Sequence, residues 1–243
     1  MNGFRQIVRL FANYFHQSKS AFYSLLFTIP LIFGYEAMMF SLNHSDIMGM
    51  RNGADVLFRQ FFSVFNIYGF YLVGFIVLLA LIIAFYFHSR SKPSGKFDKR
   101  FFLLMLLESC LYAMLLFIIV DKVGNFTLQA GPKAAGKHLI ALALGAGVYE
   151  EFIFRVVLIS GSVFFLKNIL SLPAGLAVVI AVIFSSFIFS WFHYLGPFGD
   201  TFDPRSFIIR FLAGIFLAVI YALRGFGIAA YSHTLYDLIV IAI

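Results

Sequence analysis

The residues best suited to chemistry in this 243-residue chain are ionisable side chains inside apolar runs. They fall on three separate runs in the second half of the sequence: Glu150, Glu151 and Arg155, then His193, then His233 and Asp237. A charge at bilayer depth costs about 3 kcal/mol or more, so such residues rarely persist there without a use. Two imidazoles and a carboxylate can bind a metal such as zinc with an open coordination position. Without a metal, the same groups can activate water by general-base catalysis.

Helical spacing assigns these side chains to faces. Residues four positions apart share one face of an α-helix, whereas adjacent residues point about 100° apart. We therefore expect Glu151 to pair with Arg155, and His233 to lie on the same face as Asp237. Glu150 is expected to point elsewhere, toward a cavity between the three helices.

Three further residues in the apolar runs need an interpretation, namely Phe189, Glu36 and Glu108. Phe189 precedes His193 by one turn and is expected to wall the same cavity. Taken singly, these features also have structural interpretations, because a glutamate–arginine pair can be a packing device and an intramembrane histidine an interhelical hydrogen-bonding residue. Their occurrence on three helices favours a functional site. Glu36 and Glu108 show no matching partner pattern, so we interpret both as packing or near-interface residues.

The composition indicates an integral membrane protein. The chain is 62% hydrophobic and 12% charged, with a mean hydropathy of +0.94, whereas a soluble domain is about 45–50% apolar and about 25% charged. The net charge of +7 suits the flanks of membrane helices, so we expect lipids rather than nucleic acid as its partners. The single Cys110 excludes a disulfide framework and a cysteine metal cluster.

Apolar runs of about 20 residues can cross a bilayer as helices. The chain contains seven, with six or eight as alternatives because the last two are short: 21–42, 66–88, 101–120, 138–160, 174–195, 206–223 and 226–243. Residues 4–17 fit either an amphipathic helix on the membrane surface or a cytosolic lead-in, and the polar stretch 43–60 predicts an extramembrane loop. The predicted fold is thus an all-α polytopic bundle.

Two regions are expected within this bundle. Residues 1–137 would form the N-terminal surface helix and three spans, and residues 138–243 a four-helix catalytic core. Basic residues concentrate in the N-terminal flank and in the segment His88–Arg100, which contains Arg90, Lys92, Lys96, Lys99 and Arg100. By the positive-inside bias, we predict a multi-pass protein of the cell membrane with a cytoplasmic N-terminus.

The order of the polar motifs resembles that of a known family. The patterns E-E-x-x-x-R, F-x-x-x-H and H-x-x-x-N/D are similar to those of the CPBP family, also called the Abi or CAAX-protease-2 (Rce1-like) intramembrane proteases. The matching positions are Glu150, Glu151 and Arg155, then Phe189 and His193, then His233 and Asp237. A small-residue motif of the family resembles Phe211-Leu212-Ala213-Gly214. The resemblance covers roughly 138–243, and the absence of H-E-x-x-H excludes a zincin.

The resemblance implies hydrolysis of a peptide bond within the membrane or at its edge. It assigns Glu150 as the general base and His193 as its partner in activating water, while His233 and Asp237 stabilise the oxyanion or hold the site. Many eukaryotic-type members have asparagine at the last position. An ionised carboxylate cannot donate a hydrogen bond to an oxyanion, so Asp237 is expected to orient His233 or to ligate a metal.

The supporting residues and the cofactor follow from the same resemblance. Glu151 and Arg155 are expected to hold the fourth span in register. We favour a metal-free glutamic mechanism, with a divalent metal such as zinc, held by Glu150, His193, His233 and Asp237, as the alternative. The substrate would be a membrane-associated peptide or protein, and a prenylated C-terminal peptide and a leader or bacteriocin peptide are both candidates.

Two further function classes stay open at this point. A membrane protein of the same fold could act without catalysis, as a bacteriocin-immunity or partner-binding factor. Buried carboxylates and histidines also build the relays of ion or proton translocators. The sequence shows no paired Gly/Pro breaks in two duplicated halves, which would favour transport.

Overall fold

The computed structural model describes residues 2–41, 53–63, 72–90, 97–124, 136–196 and 199–243. This part of the chain is almost entirely helical and contains no strand, which confirms the predicted all-α bundle. The helices are α1 (Asn2–Ser18), α2 (Ala21–Ser41), α3 (Gly53–Ser63), α4 (Leu72–Arg90), α5 (Arg100–Gly124), α6 (Gly136–Gly145), π1 (Ala146–Glu150), π2 (Phe152–Ile159), α7 (Ser160–Asn168), α8 (Ala174–Phe192), α9 (Pro204–Arg224) and α10 (Phe226–Ala242).

Four helices in the described ranges are long and apolar enough to cross a membrane, namely α2, α5, α8 and α9. They correspond to the first, third, fifth and sixth predicted spans. The seventh, α10, is apolar but has only 17 residues. Of the second predicted span, 66–88, the structure describes the part that lies in α4, and residues 66–71 lie outside the described residues. The protein is thus a multi-pass membrane protein, and the count of seven spans stays a prediction.

The stretch 43–60, predicted as a loop, contains part of a helix. α3 begins at Gly53 and continues to Ser63, and Asp55 on it has no exposed surface. The loop prediction is therefore wrong for residues 53–60, while 43–52 lie outside the described residues. The polar residues of α3 led to the loop prediction, but Asp55 is buried and accepts a hydrogen bond from the Tyr35 hydroxyl.

The fourth predicted span is one helical run, 136–168, whose winding changes along its length. It is α-helical at both ends and π-helical in π1 and π2, on either side of Glu151. A π-helix has i→i+5 hydrogen bonds and wider turns, and in other proteins short π segments often mark functional sites. Gly147 lets π1 approach α10 closely, because a Cβ there would come within 2.6 Å of the Ala230 carbonyl oxygen.

α10 lies at the centre of the described bundle. It packs against α2, α5, α6, π1 and α9, while α9 also packs against α8. Its first turns are buried, and Ile228, Ala229 and Ala230 have no exposed surface. The helix that carries His233 is therefore fixed from several sides, as a precisely positioned site requires.

A buried polar cluster joins α1 to the rest of the bundle. The Arg224 guanidinium binds both oxygens of the Glu108 carboxylate, at 2.5 and 2.9 Å, and Tyr14 on α1 donates its hydroxyl to the same carboxylate. Burial, with the hydrogen bond to Glu108, raises the pKa of Tyr14 above its ordinary value, so the hydroxyl keeps its proton. Glu108, for which the sequence shows no partner, thus packs three helices together.

The predicted helix at residues 4–17 is confirmed as α1. Its position on a membrane surface and the cytoplasmic side of the N-terminus stay predictions. Of the basic segment that supports this orientation, Lys92 and Lys96 lie outside the described residues.

Candidate active site

Glu151 connects two of the three helices that carry the polar motifs. Its Oε2 lies 3.1 Å from Arg155 Nε, and its Oε1 lies 2.8 Å from His233 Nδ1. Glu151 and Arg155 have no exposed surface. The predicted Glu151–Arg155 pair is therefore confirmed. The contact with His233 was not predicted, because the pattern grouped the histidines with Glu150.

His233 lies between two carboxylates. While Nδ1 faces Glu151, Nε2 lies 3.7 Å from Asp237 Oδ2, which confirms that His233 and Asp237 share a face of α10. This distance is longer than a hydrogen bond. Asp237 thus lies within ion-pair distance of the imidazole without a hydrogen bond to it. A small shift of either side chain would form that hydrogen bond.

Phe189, predicted to wall the cavity beside His193, contacts both histidines. Its ring centroid lies 5.1 Å from that of His193 and 6.0 Å from that of His233. The Arg155 guanidinium lies over the same ring, 4.6 Å from its centroid. An arginine over a desolvated ring gains about 2 kcal/mol of cation–π attraction. The ring therefore helps to fix the Arg155–Glu151 pair as well as the wall of the site.

His193 ends α8 and is oriented by backbone groups. Its Nδ1 lies 2.9 Å from the Phe189 carbonyl oxygen, and its own carbonyl accepts the backbone N–H of Asp200 at 2.9 Å. A carbonyl oxygen only accepts, so Nδ1 carries the proton in this hydrogen bond. In a neutral imidazole, the lone pair is then on Nε2, which is the atom able to take a proton from water.

Glu150 is buried with 6% of its surface exposed. Its charge acts on His193, on His233 and on Asp237, so it lies within electrostatic range of all three. The structure thus brings together the four residues that the resemblance implicates in catalysis. They come from π1, from the end of α8 and from α10.

Arg210 and Asp200 border the same site and were missed in the sequence. Arg210 on α9 forms an ion pair with Asp200 and lies over the Tyr194 ring, 5.3 Å from its centroid. Its charge acts on His193. The signal was present, because Arg210 is an ionisable residue inside the sixth predicted apolar run, the same criterion that identified Glu150.

A metal ion would need at least three ligands that point at one position. Within the described ranges, no three His, Cys, Asp or Glu side chains are arranged to hold a metal ion. Both ring nitrogens of His233 also face carboxylates of neighbouring residues. Glu150, His193, His233 and Asp237 are thus not arranged as a metal site among the described residues, and a divalent metal held by them stays the alternative.

Comparison with protein families gives one match. Residues 134–239 match the family described as Type II CAAX prenyl endopeptidase Rce1-like. Comparison with curated proteins and with solved structures gives no match. The matched range contains every motif on which the resemblance depends, and the described helices within it carry the whole polar site. Residues 134–239 thus match the Rce1-like CAAX protease family, which confirms the family resemblance of the motifs.

Proposed function

We propose that the protein is an intramembrane endopeptidase that hydrolyses a peptide bond of a membrane-associated substrate. The observation that carries this proposal is the position of Glu150, a buried carboxylate within electrostatic range of two imidazoles from two other helices. Members of the Rce1-like family are generally proteases, and their substrates are membrane-associated peptides or proteins. The site chemistry and the family therefore agree.

The reaction begins with a water molecule between the Glu150 carboxylate and Nε2 of His193. Glu150 accepts a proton from this water while the water oxygen attacks the carbonyl carbon of the scissile amide. The carbonyl electrons move to oxygen and form a tetrahedral oxyanion. Glu150 then returns the proton to the amide nitrogen, the C–N bond breaks, and the products are a carboxylic acid and an amine. The hydrogen bond that His193 Nδ1–H donates to the Phe189 carbonyl oxygen keeps the His193 ring in the required orientation.

His233 and Asp237 supply the hydrogen bond to the oxyanion. An ionised carboxylate cannot donate, but a proton on His233 Nε2 or on the Asp237 carboxyl can. These two atoms are 3.7 Å apart, so one proton can serve both groups. Such a donor at the developing charge contributes about 3 kcal/mol to lowering the barrier. Glu151, anchored by Arg155, holds the other side of the His233 ring.

Cleavage by purified protein in lipid nanodiscs tests this proposal. The substrates are three peptide sets with membrane anchors: prenylated C-terminal peptides, leader or bacteriocin precursors, and unrelated transmembrane peptides. We expect cleavage by wild type, and a loss of about 100-fold or more for Glu150→Gln and His193→Gln. Cys110→Ser, at an exposed position, is the matched control and should retain the rate.

Two outcomes would contradict the proposal. Unchanged cleavage by Glu150→Gln would show that another group activates water. Absence of cleavage by wild type, together with a partner-binding phenotype that survives both substitutions, would favour the non-catalytic function. A chelator such as 1,10-phenanthroline should leave the rate unchanged, and a loss that zinc restores would favour the metal-dependent alternative instead.

A further inference from the structure

Tyr149, the residue directly before Glu150, is held by a helix outside the matched range 134–239. Its side chain is buried, with 3% of its surface exposed, and its hydroxyl donates to Oε1 of Glu36 at 2.9 Å. Glu36 lies on α2, 113 positions earlier in the chain. A carboxylate inside a membrane helix is costly to keep, and here it receives a hydrogen bond from the neighbour of the proposed general base.

A second contact holds the ring of Tyr149. Tyr35 on α2 has no exposed surface, and its ring packs edge-on against that of Tyr149 with centroids 5.2 Å apart. The Tyr35 hydroxyl donates to Asp55 Oδ2 on α3 at 2.8 Å, within the buried core. The edge-on packing contributes about 1 kcal/mol beyond area burial. Residue 149 is thus fixed both at its hydroxyl and at its ring by residues from the N-terminal half.

Such fixing matters because of the backbone at this point. Tyr149 and Glu150 are consecutive residues of π1, so a rotation of that turn moves both side chains together. A π-helical turn is a rare winding that depends on its surroundings. Displacing a reacting group by about 1 Å can lower a rate about 100-fold. A contact that stops π1 from rotating therefore acts on the position of the Glu150 carboxylate.

We propose that Glu36 and Tyr149 form a positioning pair that holds Glu150 in register with the two histidines, so that α2 is part of the functional site. The inference rests on the proposed role of Glu150. It assigns a function to a residue that lies outside the family's matched range and that the sequence pattern places among packing residues. Tyr35 on α2, whose hydroxyl binds Asp55 on α3, supports the pair.

Kinetics of single variants test the pair. Tyr149→Phe removes the hydroxyl and keeps the ring, and we expect kcat to fall about tenfold with KM little changed, because orientation rather than binding is lost. Glu36→Gln keeps an acceptor oxygen and should retain more activity than Glu36→Leu. Adding Glu36→Leu to Tyr149→Phe should cost little more than Tyr149→Phe alone, because both remove the same hydrogen bond.

Tyr112→Phe is the matched control. It removes another tyrosine–glutamate hydrogen bond, from the Tyr112 hydroxyl to Glu108 Oε1 at 3.1 Å, away from the proposed site. It should leave kcat unchanged. If Tyr149→Phe retains the kcat of this control, the inference is overturned. If Tyr149→Phe does not fold, Glu36→Leu decides by the same criterion, since it removes the acceptor of this hydrogen bond and keeps a side chain of similar size.

An assay without catalysis separates this inference from the proposed function. In a Cys110→Ser background, the thiol introduced by Glu150→Cys is alkylated with a small water-soluble maleimide, with and without Glu36→Leu. We expect Glu36→Leu to change the alkylation rate about threefold or more by reorienting position 150, and Tyr112→Phe to leave it unchanged. A changed rate supports the positioning pair even if wild type cleaves no peptide. An unchanged rate overturns it even if wild type is an active protease.

Discussion

Arg155→Met would leave the buried Glu151 carboxylate without the guanidinium 3.1 Å away. Truncating one partner of a buried ion pair costs about 3–5 kcal/mol, and the lost contact with the Phe189 ring adds up to about 2 kcal/mol. Glu151 keeps its 2.8 Å contact with His233, which offsets part of the loss. We therefore expect the free energy of unfolding to fall by about 3–4 kcal/mol, roughly a few hundred-fold in the equilibrium constant.

Equilibrium unfolding in mixed micelles with increasing SDS measures this loss. The fluorescence of the single Trp191, on α8, reports the transition. Arg205→Met is the matched control, because Arg205 is exposed on the first turn of α9, and it should change stability by about 0.5 kcal/mol or less. Adding Glu151→Gln to Arg155→Met should recover about 1–2 kcal/mol, since no carboxylate then stays unpaired. A loss for Arg155→Met equal to that of the control would refute the buried pair.

Two further substitutions test the packing around the site and at the other buried ion pair. Gly147→Ala should lower the free energy of unfolding by about 1–3 kcal/mol, because its Cβ would overlap the Thr234 hydroxyl. Gly161→Ala, with nothing within 4 Å of its Cβ, should not, and equal thermal shifts for the two would contradict the close approach of π1 to α10. Arg224→Met should release α1, since it removes the cation that binds Glu108, and limited proteolysis should then cut within residues 2–18. Protection equal to that of wild type would show that α1 is held by other contacts.

Pairs four residues apart could be predicted from the sequence. Glu151 with Arg155 and His233 with Asp237 both lie within ion-pair distance in the structure. Their spacing brings them to one helix face wherever the chain is helical, and neither pair depends on how the helix is placed in the bundle. The all-α architecture follows in the same way, from the length and apolar content of the runs.

The partner of His233 could not be predicted, because it depends on rotation about the helix axis. Glu150 and Glu151 are adjacent, and only tertiary packing decides which of the two meets the imidazole. The π-helical winding around Glu151 changes the angle between successive residues, so the angle of about 100° used to place Glu150 and Glu151 relative to each other does not hold there. It is Glu151 that contacts His233 directly.

The contacts that the N-terminal half makes with π1 and within itself could not be predicted from the spacing of polar residues either. Glu36 and Tyr149 are 113 positions apart, and a single sequence contains no local signal for such a pair. Asp55 lies in a stretch whose polarity predicted a loop, yet it is buried against Tyr35. In a helix bundle, a buried polar residue can form its hydrogen bond with a residue of a distant helix, so polarity alone is a weak sign of exposure.

An experimental density map of the wild-type protein in lipid nanodiscs, at a resolution that places ordered water, would show whether Glu150 and His193 share a water molecule. We expect a water within hydrogen-bond distance of both the Glu150 carboxylate and Nε2 of His193, and a hydrogen bond between Glu151 and His233. A Glu150 side chain that faces lipid, or that packed hydrocarbon separates from both imidazoles, would contradict this expectation.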